Sequence, residues 1–146
     1  MPKTMLHNEA DTIDFASRFA QSLKPGDMVA LHGELGAGKS VFCRAVMRAL
    51  GVTDKAMPSP TFAIVQEYEG TDCRIAHMDW YRLEGVSELN AIGIRDYMQA
   101  PWICLIEWPD RAPELMGPDT IHIHLACAGD DMHARMIEVE GIENRL

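Results

Sequence analysis

Residues 28–51 read MVALHGELGAGKSVFCRAVMRALG, and three changes of character inside that stretch decide the fold. Met28–His32 is a short, continuous apolar run, the form of a strand buried on both faces. Gly33, Gly36 and Gly38 then loosen the backbone just before Lys39 and Ser40. From there Phe42, Ala45, Val46 and Ala49 share one helical face, and Gly51 follows Leu50 as a helix stop. Strand, glycine loop and helix in that order are what a phosphate-binding loop requires.

Gly33-Glu34-Leu35-Gly36-Ala37-Gly38-Lys39-Ser40 satisfies G-x-x-x-x-G-K-[ST], the P-loop pattern. Glycines allow backbone conformations that a side chain forbids, so successive amide N–H groups can turn inward around phosphate oxygens. The helix beginning there adds its positive end. Lys39 is placed to reach the β- and γ-phosphates, and the Ser40 hydroxyl offers an oxygen to Mg²⁺, a hard cation that prefers such ligands. No N-K-x-D guanine-reading segment is present, so ATP is expected rather than GTP.

Such a loop needs a further acid to hold the metal or orient water. Trp102–Glu107, WICLIE, is an apolar run ending in a carboxylate, the form of a Walker B strand although Asp is more usual there. Arg74–Asp79, RIAHMD, is less apolar and also ends in an acid. The pattern favours Glu107 over Asp79 for the metal side, with a solvated strand end as the alternative reading of either.

Working outward, residues 9–23 place Ile13, Ala16, Ala20 and Leu23 on one stripe, with Asp11 and Asp14 towards the positive end, which predicts an amphipathic helix. Lys24-Pro25-Gly26-Asp27 breaks it. The prolines of residues 57–61 require an extended or turn-like segment. FAIVQEYE and CRIAHMDWYR flank Gly70-Thr71-Asp72 and predict an antiparallel hairpin. Ser87 is a candidate cap for a helix running to about Met98, weakened by Gly93. A proline-rich loop then leads to IHIHLACA and ARMIEVEG, a second hairpin around Gly129-Asp130-Asp131. The expected fold is α/β: a P-loop NTPase-like mixed sheet flanked by a few helices, with antiparallel hairpins, and residues 1–146 forming one domain.

Composition bounds the function. The chain has 146 residues, 47% hydrophobic and 24% charged, an ordinary globular balance. Its formal charge of −9 disfavours independent binding to nucleic acid or to anionic membrane, so any polyanion is expected to be shared with a more basic partner. Cys43, Cys73, Cys104 and Cys127 are scattered through apolar segments without a C-x-x-C pair, as reduced core thiols of a cytoplasmic protein would be. No stretch has the length of a membrane span and the N-terminus lacks an apolar leader core.

Other features are weaker. His122 and His124 share a strand face near Cys127 and His133, but alternation with Ile121, Ile123 and Leu125 explains them as an exposed face rather than a metal site. His77 reads as a packed or capping histidine. Arg44 and Arg48 form an i, i+4 pair on the solvent side of the P-loop helix.

GELGAGKS, SPTF (Ser59–Phe62), DWYR (Asp79–Arg82) and IEW (Ile106–Trp108) together, in order and spacing, resemble the bacterial TsaE family, formerly YjeE. The resemblance runs from about Thr12 to Leu125. It implies a small P-loop ATPase, using ATP and Mg²⁺, required for threonylcarbamoyl modification of adenosine 37 in tRNAs that read codons beginning with A. In that family the protein works with TsaD and TsaB, which transfer the threonylcarbamoyl group that TsaC activates as an adenylate. tRNA is then met only through the complex. Carried onto this chain, the resemblance gives Lys39 and Ser40 to phosphate and Mg²⁺, Glu107 to the metal, and Asp79 to a second functional acid. It places Thr61 in a switch-like segment near the γ-phosphate and Trp108 beside the nucleotide. Two positions depart from the family's usual residues: Ser40, where Thr is commoner, and Glu34, where Asp is.

Hydrolysis at a site of this kind depends on positioning and charge neutralisation, so a subunit without an evident arginine finger is expected to be slow alone. Arg82 and Arg111 are candidates in cis, with a surface or structural ion pair as the plainer reading for each. A small-molecule kinase and a non-hydrolytic nucleotide-binding adaptor remain open. The first would need an arginine-bearing lid, for which only PDRAPELMGPD is available.

Overall fold

The structure is a computed structural model and describes residues 3–58, 60, 64–129 and 131–142. Seven strands form one sheet: β1 (Thr4–Leu6), β2 (Met28–His32), β3 (Val65–Glu69), β4 (Arg74–Asp79), β5 (Trp102–Glu107), β6 (Ile121–Ala128) and β7 (Asp131–Glu140). Their order is β1-β7-β6-β2-β5-β4-β3. The inner four, β6, β2, β5 and β4, run parallel. Antiparallel partners close both sides: β3 on β4, and β7 then β1 beyond β6. The mixed α/β architecture and both expected hairpins are therefore present. The three-residue β1 was not anticipated.

Side-chain parity divides the sheet into two faces. On one, Val29, Leu31, Ile75, Ile103, Leu105, Ile121 and Ile123 pack against α1 (Glu9–Ala20) and α2 (Lys39–Ala49). On the other, Ala76, Met78, Cys104 and Ile106 pack against α3 (Val86–Ala91), α4 (Ile94–Tyr97) and two short 3-10 turns at Pro109–Arg111 and Pro113–Leu115. Strand β5 is buried along its whole length, as its unbroken apolar run requires.

Two expectations are corrected. The buried stripe of α1 is Thr12, Ala16, Phe19 and Ala20, while Ile13 is 42% exposed. The larger Phe19 side chain, packed at a tilt against Phe42 with 5.6 Å between ring centroids, rotates the helix by part of a turn from the predicted stripe. The helix stops at Ala20, and Leu23 packs at the core's margin from beyond it. Its start is well capped: the Asn8 side chain accepts from the Asp11 N–H at 2.8 Å and the Asp11 carboxylate accepts from the His7 N–H at 2.9 Å.

The helix predicted from Ser87 to Met98 is two short helices instead. Gly93 takes a left-handed conformation (φ 76°) between them, so the residue expected to weaken the helix in fact ends it. Gly85, not Ser87, occupies the N-cap position of α3, and the Glu88 carboxylate accepts from the Glu84 N–H at 2.8 Å. No helix among the described residues is long and apolar enough to cross a membrane.

Candidate active site

Strand order brings the acids to the glycine loop. β5 lies between β2, which runs into the loop, and β4, so the C-terminal ends of all three meet at one edge, where open α/β sheets place ligands. In register, Leu31 pairs with Glu107 and Glu107 with Asp79. Parity does the rest. Ile103 and Leu105 face α2, so Glu107 does too, and Ile75 likewise carries His77 and Asp79 to that side.

The loop has the backbone its glycines permit. Gly33, Gly36 and Gly38 have φ of 157°, 84° and 101°. A side chain at Gly33 would also place its Cβ 2.6 Å from the Leu125 carbonyl oxygen, so two constraints select glycine there. Gly38 stands at the N-cap of α2, leaving the helix's first amides without a side-chain cap and free for an anion. Glu34 and Leu35 are exposed at the loop's tip and Ala37 is buried.

Lys39 is 5% exposed. Its ammonium donates to the Gly33 carbonyl and lies 3.5 Å from the Trp108 ring centroid. Burial lowers the Lys39 pKa, opposed by the charges of Glu107, Asp79 and Asp110. Trp108 holds a left-handed conformation (φ 60°), uncommon for a bulky residue, and its ring meets Tyr81 at 5.0 Å. The Ser40 hydroxyl lies 3.3 and 3.4 Å from the two Glu107 carboxylate oxygens. Glu107 and Asp79 are both buried, and Asp79 accepts from the Tyr81 N–H at 2.9 Å.

The structure thus gathers Gly33, Gly36, Gly38, Lys39, Ser40, Asp79, Glu107 and Trp108 at one place. Thr61 lies outside the described residues. Arg111 donates through Nε to the Tyr81 carbonyl at 3.1 Å and sits 5.5 Å from that ring, so its guanidinium is docked on Tyr81. Arg82 is exposed.

Two residues at the site were not read as part of it. Arg135, on β7, donates to the carbonyls of Ala37 and Gly36 at 3.1 Å each, and to those of Met132 and Ala134 at 2.9 Å. It ties the outer side of the loop to the terminal hairpin. No local signal in ARMIEVEG distinguishes it from any strand arginine. His77, expected to be a packed histidine, is fully buried and places Nε2 2.7 Å from Glu107 Oε2.

The thiols of Cys43 and Cys104 are buried and pushed up by that burial, Cys104 to about 12. His122 and His124 are half-buried and gather round His32: His32 Nε2 lies 2.9 Å from His122 Nδ1, and the His32 and His124 rings stack at 4.6 Å. Among the described residues, Cys43, His77 and Glu107 form a buried group of three with metal-like spacing.

Comparison with known proteins agrees with this geometry. Residues 6–137 match the family model described as threonylcarbamoyl adenosine biosynthesis protein TsaE, further at both ends than the motifs alone indicated. A Rickettsia felis protein named tRNA threonylcarbamoyladenosine biosynthesis protein TsaE is 34% identical over 97% of this chain and 82% of its own. A Bacillus subtilis protein of the same name is 36% identical over 94% of this chain and 84% of its own. The crystal structure of Bacillus subtilis YdiB superposes with a TM-score of 0.78 at 32% identity, covering 99% of this chain and 87% of that one. A family model matched over residues 6–137, and relatives 34% and 36% identical over nearly the whole chain, establish that the protein belongs to the TsaE family of tRNA threonylcarbamoyladenosine biosynthesis.

Proposed function

We propose that this protein is a Mg²⁺-dependent ATPase, slow alone, that supports the threonylcarbamoyl transfer to adenosine 37 of tRNA carried out with TsaD- and TsaB-like partners in the cytoplasm. The observation that carries the reading is the convergence of Lys39, Ser40, Asp79 and Glu107 at the mouth of a loop whose glycines hold positive φ.

The residues fit the groups proposed. The positive-φ glycines of the loop and the uncapped first turn of α2 suit a polyphosphate. The Ser40 hydroxyl and the Glu107 carboxylate are hard oxygen donors within 3.4 Å of each other, the chemistry Mg²⁺ prefers. Ser40 and Glu107 would hold Mg²⁺, which would supply positive charge to neutralise the phosphates. Lys39 would exchange the Gly33 carbonyl and the Trp108 ring for a phosphate, and its burial would strengthen the attraction it exerts on one. Asp79, paired in register with Glu107, would be the second acid and would accept from an attacking water. Docking of Arg111 on Tyr81 leaves the proline-rich segment without the arginine a kinase lid would supply, which favours the ATPase over a small-molecule kinase. The chain's acidity favours docking on proteins rather than on bare tRNA.

The test is phosphate release from ATP with Mg²⁺, measured with and without TsaB- and TsaD-like proteins. Slow release that the pair accelerates is expected, and alanine at Asp79 or Glu107 should lower it about 100-fold while nucleotide still binds. Tight nucleotide binding with no release under any condition would make the protein an adaptor. Acceleration by a small metabolite in place of the protein pair would make it a kinase.

A further inference from the structure

Glu107 stands where P-loop strands usually carry Asp, and the longer side chain brings one more rotatable bond to the metal side of the site. A carboxylate that swings through several rotamers is a poor ligand, so something must remove that freedom. Ser40 does not do so, because its hydroxyl is almost equidistant from both oxygens, at 3.3 and 3.4 Å. His77 does. Its Nε2 meets Glu107 Oε2 at 2.7 Å, and His77 is wholly inaccessible to solvent, so water cannot replace it.

Direction follows from hydrogen-bond chemistry. With Glu107 ionised the carboxylate only accepts, so the imidazole must donate from Nε2. Nδ1, on the other side of the ring, is buried and has no hydrogen-bond partner among the described residues. A histidine kept solely for packing would be an expensive choice, since burying an unpartnered polar atom costs free energy that an apolar side chain avoids. The orphaned Nδ1 is the cost of presenting Nε2–H to Glu107. The backbone makes the arrangement rigid: β4 and β5 are paired from Arg74–Trp102 to Asp79–Glu107, and His77 and Glu107 leave the sheet on the same face.

We propose that His77 is a positioning residue that pins Oε2 of Glu107 and so turns Oε1 towards the metal position. This rests on the Mg²⁺-dependent reading above. Outer partners of metal ligands set ligand orientation, and their removal commonly weakens metal binding 10- to 100-fold.

The experiment measures the affinity of the full chain for a non-hydrolysable ATP analogue by calorimetry, once with Mg²⁺ and once with a chelator. His77→Leu should bind the metal-free analogue as the wild type does but lose at least about tenfold of the gain Mg²⁺ brings. His77→Gln, whose amide nitrogen falls near the imidazole Nε2, should restore that gain to within about threefold. A metal-dependent gain unchanged in His77→Leu would overturn the proposal. So would an equal loss with and without Mg²⁺, which marks a structural role, or failure of Gln to rescue. A wild-type chain that binds no nucleotide under either condition would overturn the ATPase reading, and this one with it.

Discussion

Two groups of polar side chains project from the same sheet, and they are built differently. At the ends of β2, β5 and β4, Lys39, His77, Asp79 and Glu107 are all less than a tenth exposed and converge on one point. Beside them on β2 and β6, His32, His122 and His124 are half-buried and lie in a row, with His124 Nε2 3.1 Å from Glu140 and His32 Nδ1 3.7 Å from Asp110. The first group is dry enough for charges to act strongly, whereas the second remains in contact with water that screens it. Residue type does not separate them, since each contains imidazoles and carboxylates. Parity does: the first group lies under α2, and the second on the opposite sheet face beyond the reach of α3 and α4.

The contrast can be broken at its strongest point. Lys39→Ala removes the only cation buried in the first group, and should weaken ATP binding about 100-fold or more by calorimetry, far beyond the effect of a surface charge. Retained affinity would mean that the buried group does not hold phosphate.

Arg135 braces the glycine loop from the terminal hairpin, since it donates to the carbonyls of Gly36 and Ala37. Arg135→Met keeps much of the side chain's length and removes its donors. A loss of about tenfold in nucleotide affinity is expected, from two charge-assisted hydrogen bonds that no longer orient the loop. An unchanged affinity would show that the loop needs no support from the hairpin.

The smallest effect belongs to the histidine row. Burial lowers the pKa of His32, helped by His124 and His122 and opposed by Asp110 and Glu140. A histidine whose folded pKa lies below the ordinary 6.5 binds its proton less readily than the unfolded chain does, so stability declines as pH falls below that value and is unaffected well above it. His32→Gln should therefore flatten the acid side of a denaturation-midpoint profile and leave its alkaline side parallel to the wild type. An unaltered acid slope would place the pH dependence elsewhere.

What could be read from the sequence was what local pattern encodes. The glycine spacing, the lysine and the hydroxyl are consecutive, so their chemistry is visible in a window of eight residues. Glu107 was legible because an apolar run ending in an acid has few other uses. The His77–Glu107 contact spans 30 positions and that of Arg135 with Ala37 spans 98, and neither leaves a local trace. Both depend on strand order, which sequence pattern leaves open. The errors were of scale. A stripe drawn through Ile13 missed the pull of Phe19, and Gly93 was read as a weak point in a helix when it was the helix's end.

The carbonyl of Leu125 has a mechanical consequence for the loop. It occupies the space beside Gly33, so the root of the loop cannot slide towards β6. Around Gly36 nothing stands within 4 Å of where a Cβ would be, and Leu35 beside it is 72% exposed. A crest held at both ends is a short span: whatever movement accompanies nucleotide entry and exit concentrates at residues 34–35, between the anchorage at Gly33 and the Arg135 tie at Gly36 and Ala37.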